Sequence, residues 1–321
     1  MKQSLSLTLV VILLLLTSQC LAQSGRAAAK LKLDTLIYAQ IGGIKQVIEI
    51  RTEDVSRPVL LFLSGGPGSS MMTNAVPFTN ALKNRFTIVQ WDQRDAGKTL
   101  KLNPSPTRPT LGLMAQDTYE VINMITERFK QKKIYLLGSS WGNALGFSIV
   151  KKYPQKLHAY FAVNPVISQL QSERELLITL KNDLRDNKDA SEELNKVNIP
   201  FRNDEDLFYL RKWLFYKEGK TFVTNESFKT GFLQWSKTWS ATWNEVMGID
   251  LTKTLKTVQC PVYFFVGKND IQTLTSITIA YFKALKAPKK ELFIFEHSGH
   301  QIHQEEPEKL QKAIIQVIDE I

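Results

Sequence analysis

Cysteine is nearly missing from the 321 residues: only Cys20 and Cys260 occur, which excludes a disulfide-stapled scaffold. Histidine is almost as scarce, so any imidazole chemistry falls to His158, His297, His300 or His303. Acidic groups are short, 31 Asp and Glu against 41 Lys and Arg, giving a formal charge of +10. The lysines are scattered and do not form basic runs interleaved with aromatics, so no nucleic-acid partner is expected. Repeats and low-complexity tracts are absent. Long apolar runs are also lacking, with one exception. Lys2 precedes the apolar stretch Leu5 to Leu16, which is followed by Cys20-Leu21-Ala22. This is the layout of an export signal cleaved after Ala22, and the run is shorter than the ~20 residues a spanning helix needs. Residues 1–22 are therefore expected to be removed. That leaves a secreted or periplasmic protein with no stable membrane insertion, whose one remaining cysteine, Cys260, belongs to the core.

What is present is an alternation of apolar runs and helical patterns. Leu36–Ile41 and Val47–Ile50 flank Gly42-Gly43 and read as a β-hairpin. Val59–Leu63, Phe86–Trp91, Ile134–Leu137, His158–Val163, Val262–Val266 and Leu292–Phe295 read as strands, several of them continuously apolar. Continuous apolar runs suit parallel strands buried on both faces. Helical patterns cover Leu113–Phe129, the stretch after Gly142, Leu274–Leu285 and Pro307–Ile318. The expected class is α/β, a mostly parallel sheet with helices on both faces and ligands at the carboxyl ends of the strands. Between 165 and 259 the character becomes charged, helical and aromatic, which predicts a helical cap inserted between a first core segment (23–164) and a second (260–321).

The organising stretch is Gly138-Ser139-Ser140-Trp141-Gly142, between a strand and a helix. A G-x-S-x-G turn in that context forms a nucleophile elbow: glycines at both flanks avoid clashes, and the serine projects at a helix N-terminus. A serine hydroxyl needs a base, and a histidine base needs a carboxylate to fix its tautomer. His300, beside Gly299 in the loop after the last strand, is the expected base, with His297 and His303 as alternatives. Asp270, in the loop after Val262–Val266, is the expected acid, with Glu296 as substitute. The order Ser140, Asp270, His300 is that of the α/β-hydrolase arrangement. The backbone N–H groups of Trp141 and Gly66 are the expected oxyanion donors.

Taken together, Ser64-Gly65-Gly66-Pro67-Gly68, Asp92-Gln93-Arg94-Asp95-Ala96-Gly97-Lys98, Gly138-Ser139-Ser140-Trp141-Gly142, Asp270 and Ser298-Gly299-His300 resemble the prolyl iminopeptidase family of α/β-hydrolases. The resemblance covers about 33–165 and 259–321 and implies an α/β-hydrolase fold. It further implies a covalent serine mechanism without metal or cofactor, and release of an N-terminal residue, expected to be proline, from small peptides. An esterase or amidase acting on small acyl substrates with the same three residues is the alternative. Two positions depart from the family pattern: Ser64 replaces a histidine and Asp95 replaces a glycine, the latter expected in a solvated loop. Family aminopeptidases hold the substrate ammonium with cap carboxylates. Val166–Asp250 carry 14 acidic and 12 basic residues, a slightly acidic cap on a basic body, and Glu205, Asp206 and Glu245 beside aromatics are the candidates. Trp235, Trp239 and Trp243 lie on one stripe of a helix, either as core or as pocket roof.

Overall fold

The computed structural model describes residues 31–320; the expected export signal lies outside them. One eight-stranded sheet runs through the molecule in the order β1-β2-β4-β3-β5-β6-β7-β8. The strands are β1 (Leu33–Ile41), β2 (Ile44–Thr52), β3 (Val59–Leu63), β4 (Thr87–Asp92), β5 (Ile134–Ser139), β6 (Leu157–Val163), β7 (Val262–Gly267) and β8 (Lys290–Phe295). β1 and β2 form the expected hairpin, turning at Gly42 and Gly43, both at positive φ. β2 also pairs antiparallel with β4, while every pairing from β4 through β3 to β8 is parallel. Strands β3, β4, β5 and β7 are buried throughout, which is why β3 and β7 read as unbroken apolar runs. β1 alternates between half-buried and exposed, as befits an edge.

The longer helices are α1 (Val76–Leu82), α2 (Leu111–Arg128), α3 (Gly142–Lys152), α4 (Gln169–Asp183), α5 (Lys188–Lys196), α6 (Asp204–Lys217), α7 (Glu226–Met247), α8 (Thr275–Ala284) and α9 (Pro307–Asp319). One face of the sheet packs residues such as Leu61, Leu136 and Phe264 against Ile122 of α2, Leu145 and Ile149 of α3 and Tyr281 of α8. The other packs Leu60, Leu137 and Phe265 against Phe78 of α1 and Leu310, Ile314 and Val317 of α9. α4 to α7 all fall between β6 and β7, and α4, α5 and α6 share a smaller core of their own around Leu180, Leu194 and Trp213. No helix among the described residues is long and apolar enough to cross a membrane.

The turn between β5 and α3 shows how the sequence builds a local constraint. Ser140 sits at φ 50°, a region few non-glycine residues occupy. A Cβ on Gly142 would overlap the carbonyl oxygen of Leu63 in β3, and one on Gly138 would meet the Tyr160 hydroxyl and the Gly142 carbonyl. Gly142→Ala is accordingly expected to lower the thermal midpoint sharply or prevent folding, because the clash is with sheet backbone rather than a flexible side chain. A variant melting within 2–3 °C of the parent, about a 1 kcal/mol change or less, would show that the turn can relax.

Candidate active site

Four adjacent parallel strands each end in a residue of one hydrogen-bonded group: Ser140 after β5, Asn164 after β6, Asp270 after β7 and His300 after β8. His300 Nε2 lies 2.8 Å from Ser140 Oγ, and His300 Nδ1 lies 2.8 Å from Asp270 Oδ2. Asp270 Oδ1 accepts the backbone N–H groups of Gln272 and Thr273, while Oδ2 also accepts the Thr273 hydroxyl. Asp270 and His300 are buried and Ser140 is half-buried. Burial alone would raise the Asp270 carboxyl, but the charge of His300 and the four donors around the carboxylate hold it below the ordinary range. Burial alone would depress His300, but the Asp270 carboxylate overrides it and lifts the imidazole above its ordinary value.

The other histidines are placed differently. His297 is exposed. His303 is buried and pushed down to about 4, by burial first and by the neighbouring His300 second, so it stays neutral at physiological pH. His158 is exposed at the start of β6, stacked on Tyr135. Glu296 pairs with Lys268 on the surface, away from the His300 ring.

The Ser64 to Gly68 loop lies directly over the elbow. A Cβ on Gly65 would stand 3.2 Å from that of Ser140, and Gly66 is at φ 55°. Among the described residues, neither the Gly66 nor the Trp141 backbone N–H meets an acceptor, which leaves both free for a ligand oxygen. Three loops are stitched together through side chains. The Trp141 indole N–H donates to Gln93 Oε1 at 3.0 Å, and Gln93 Nε2 donates to the Ser64 hydroxyl at 3.4 Å. Trp239 of α7 packs edge-on against Trp141 and lies against Gly68, and the Trp235 N–H donates to the Pro67 carbonyl at 2.7 Å. Asp95 is not in a solvated loop. It is buried at φ 54°, where the family's glycine would be unstrained, and accepts the Ser105 N–H at 2.8 Å. Arg94 beside it makes a two-pronged buried pair with Asp117.

Two spaces border the group, one reaching Ser140 and the other reaching Asp270 and His300. A cavity of about 200 Å³ is walled by Gly66, Ser140, Leu207, Phe215, Phe232 and Trp235, with Gln169, Arg211 and Trp243 supplying its polar edge. An open groove of about 1090 Å³ runs past Asp270 and His300 towards Asn269, Lys268 and Glu305. Ser69 lines both. The expected cap carboxylates do not reach either space. Asp206 is buried and accepts the backbone N–H groups of Asn198 and Arg202, so it fastens a loop. Glu245 accepts the Leu111 N–H at 2.8 Å, at the start of α2. Glu205 is exposed and faces Lys229. The carboxylate that lies behind the cavity wall is Glu173 of α4, fully buried and gripped by Arg211 and Gln169. Its sequence signal was its position: Glu173 falls three residues after Leu170 and three before Leu176, on an apolar helix stripe where a charge is costly. Asn164 was also missed. It sits at φ 41°, donates to the Gly299 and His300 carbonyls and accepts the Gly267 N–H, tying the loops of His300 and Asp270 to one side chain. Among the described residues no cluster of three or more His, Cys, Asp or Glu is arranged to hold a metal ion.

A family model described as the alpha/beta hydrolase fold matches residues 58–307. The chain belongs to the α/β-hydrolase family. This hydrolase is 28% identical over 294 residues to a probable aminopeptidase, YbaC, of Bacillus subtilis, covering 83% of this chain and 91% of that one. It is 24% identical over 293 residues to a proline iminopeptidase of Saccharolobus solfataricus, covering 88% and 92%. Among solved structures it superposes on a proline iminopeptidase of Mycobacterium smegmatis with TM-score 0.61 at 18% identity, over 89% of this chain and 98% of that one. An esterase from Exiguobacterium antarcticum shares the fold about as well, with TM-score 0.59 at 17% identity over 89% and 100%, so the fold by itself does not choose between amide and ester.

Proposed function

We propose that this α/β-hydrolase is an exported serine hydrolase that releases one small N-terminal residue from peptides through an acyl-enzyme on Ser140. The motif resemblance implies proline as that residue, and the names of the sequence relatives support an aminopeptidase type. The leader-like residues 1–22 support export. In the first half-reaction Ser140 Oγ bonds to the carbonyl carbon while His300 Nε2 takes its proton. The oxyanion is received by the N–H groups of Gly66 and Trp141. His300 then returns the proton to the departing amine as the C–N bond breaks. In the second half-reaction a water gives its proton to His300 and its oxygen to the acyl carbon, and Ser140 leaves with the proton restored. Asp270 holds the imidazole and balances its transient charge.

The observation that carries the exo-type reading is the unequal size of the two spaces. His300 must protonate the leaving amine, so the leaving group lies on the His300 side, in the open groove. The acyl side is then the smaller cavity, about 200 Å³, below the usual range for drug-sized ligands and sized for one small residue. Such a site tolerates any length after the cleaved bond and one residue before it. The test uses prolyl peptides of two to five residues, and the same peptides with one residue added in front of proline. Cleavage after proline at rates within about tenfold across lengths, and no cleavage after proline in the extended set, is the expected result. Internal cleavage of the extended set would overturn the reading. A second reading, an esterase or amidase on small acyl groups, is favoured by one feature: none of the residues lining the cavity is a carboxylate. Turnover of a short aryl ester with no cleavage of any peptide would select it.

A further inference from the structure

Strand β6 lies between β5, which leads to the serine, and β7, which leads to the acid, with β8 and the histidine beyond. Its last residue, Val163, and the next, Asn164, reach the backbone around all three. The Val163 carbonyl accepts the Ser140 N–H at 3.0 Å, and the Asn164 N–H donates to the Phe265 carbonyl of β7 at 2.9 Å. The Asn164 side chain then uses every hydrogen-bonding group it has. Its Oδ1 accepts the Gly267 N–H at 2.9 Å, next to the loop that carries Asp270. Its Nδ2 donates to the Gly299 carbonyl at 3.1 Å and to the carbonyl of His300 itself at 2.8 Å. Carbonyls only accept and an N–H only donates, so the amide can sit in one orientation alone. The residue is buried.

No other side chain does this work at this point. An aspartate carboxylate donates nothing, and a neutral aspartic acid donates once. Leucine supplies neither role. The φ of 41° adds a second demand, because asparagine and glycine tolerate that region best. His300 is therefore gripped at two places: its ring by Asp270 and its main chain by Asn164. The ring grip alone leaves the Cα free to shift, and Nε2 shifts with it. The rest of the loop is fastened more loosely around these points, with Asn269 donating to the Ser298 carbonyl and Gly299 donating to Glu305. We infer that Asn164 is a positioning residue for the serine reaction. It holds the His300 main chain so that Nε2 stays 2.8 Å from Ser140 Oγ. Asn164 lines neither the acyl cavity nor the groove, so it acts through the imidazole and not on substrate. Nε2 must face the serine in one step and the leaving amine in the next, and a misplacement of about 1 Å costs on the order of a hundredfold. The inference rests on the proposed serine mechanism and adds no covalent step to it.

The experiment measures kcat and KM with an aryl acetate, a reporter that does not depend on which peptide is the substrate. Each variant is assayed below its own melting transition. Asn164→Gly keeps the backbone unstrained and removes all three side-chain hydrogen bonds. It is expected to lower kcat about a hundredfold and to change KM by less than about threefold. Asn164→Asp keeps the size but cannot donate to both carbonyls in either charge state, and is expected to lower kcat about tenfold or more. The deciding comparison places Asn164→Gly in a His300→Ala background and follows product release in a single turnover. With the imidazole gone, the residual rate should change by less than about twofold, because the residue has nothing left to position. Retention of kcat within about threefold by either folded variant overturns the inference, and so does an equal loss in the His300→Ala background, which would make the role structural. Both results leave the serine mechanism standing. Failure of the parent to cleave the acetate, or full activity in Ser140→Ala, removes the serine mechanism and the inference with it.

Discussion

Ser140→Ala is expected to lower kcat by about 10⁶-fold, with the protein still folded. The hydroxyl's one hydrogen bond is to His300, and alanine accepts the φ of 50° no worse than serine, so little stability is at stake. Rate is another matter. The chemistry requires an oxygen within reach of both the imidazole and the two free N–H groups, and no neighbouring hydroxyl occupies that point: Ser139 is buried within the strand end and Ser64 is engaged with Gln93. His300→Ala should fall about as far, and the double variant no further, because the two act as one unit. The readout is single-turnover release of an aryl product, compared with thermal melting of each variant. A residual rate within about a thousandfold of the parent would place the nucleophile elsewhere.

Asp270→Asn is expected to lower kcat by about 10⁴-fold, through a forced tautomer. Oδ1 accepts two backbone N–H groups, from Gln272 and Thr273. An asparagine must keep its oxygen there, so its NH₂ turns to His300 Nδ1. That nitrogen then has to accept, the ring proton moves to Nε2, and Nε2 can no longer take the Ser140 proton. The same change alters the pH profile. His300 acts as base only when neutral, and the Asp270 carboxylate raises its affinity for the proton. Parent activity therefore falls on acidification through a midpoint above the ordinary histidine value of 6.5. Without the carboxylate, the residual activity should titrate at a lower pH, since burial loses its main opponent. A kcat/KM profile of both proteins from pH 4 to 9 checks this, and an unshifted midpoint would mean that another group is titrating.

Much of this arrangement was readable from the residues. Buried parallel strands demand continuous apolar runs, so β3 and β7 showed themselves within a residue or so of their observed ends. Glycines flanking Ser140 and a loop after each later strand place Ser140, Asp270 and His300 at one sheet edge, and the structure brings them into hydrogen-bond distance. The polar wall of the cavity was not readable in the same way. A carboxylate on a helix between β6 and β7 has the same local sequence whether it fastens a loop, as Asp206 does, pairs on the surface, as Glu205 does, or sits behind a cavity, as Glu173 does. Only the tertiary packing of α4 against α6 and α7 separates these fates. The tryptophan stripe served both ends for a similar reason: Trp239 and Trp243 pack in the core, while Trp235 and Trp243, one turn to either side of Trp239, also line the cavity.

The hydrogen bond between Ser140 and His300 closes a span of 160 residues. Every other strand-end partner of the serine arrives earlier along the chain than its base does. Asn164, which fastens the histidine loop, is in place with β6, but the imidazole comes only with the strand at the far edge of the sheet. A nascent chain still short of residue 300 thus carries an ordinary alcohol at position 140, with an alcohol's reactivity. Under the proposed mechanism, the serine gains its base only when the outermost strand is in place.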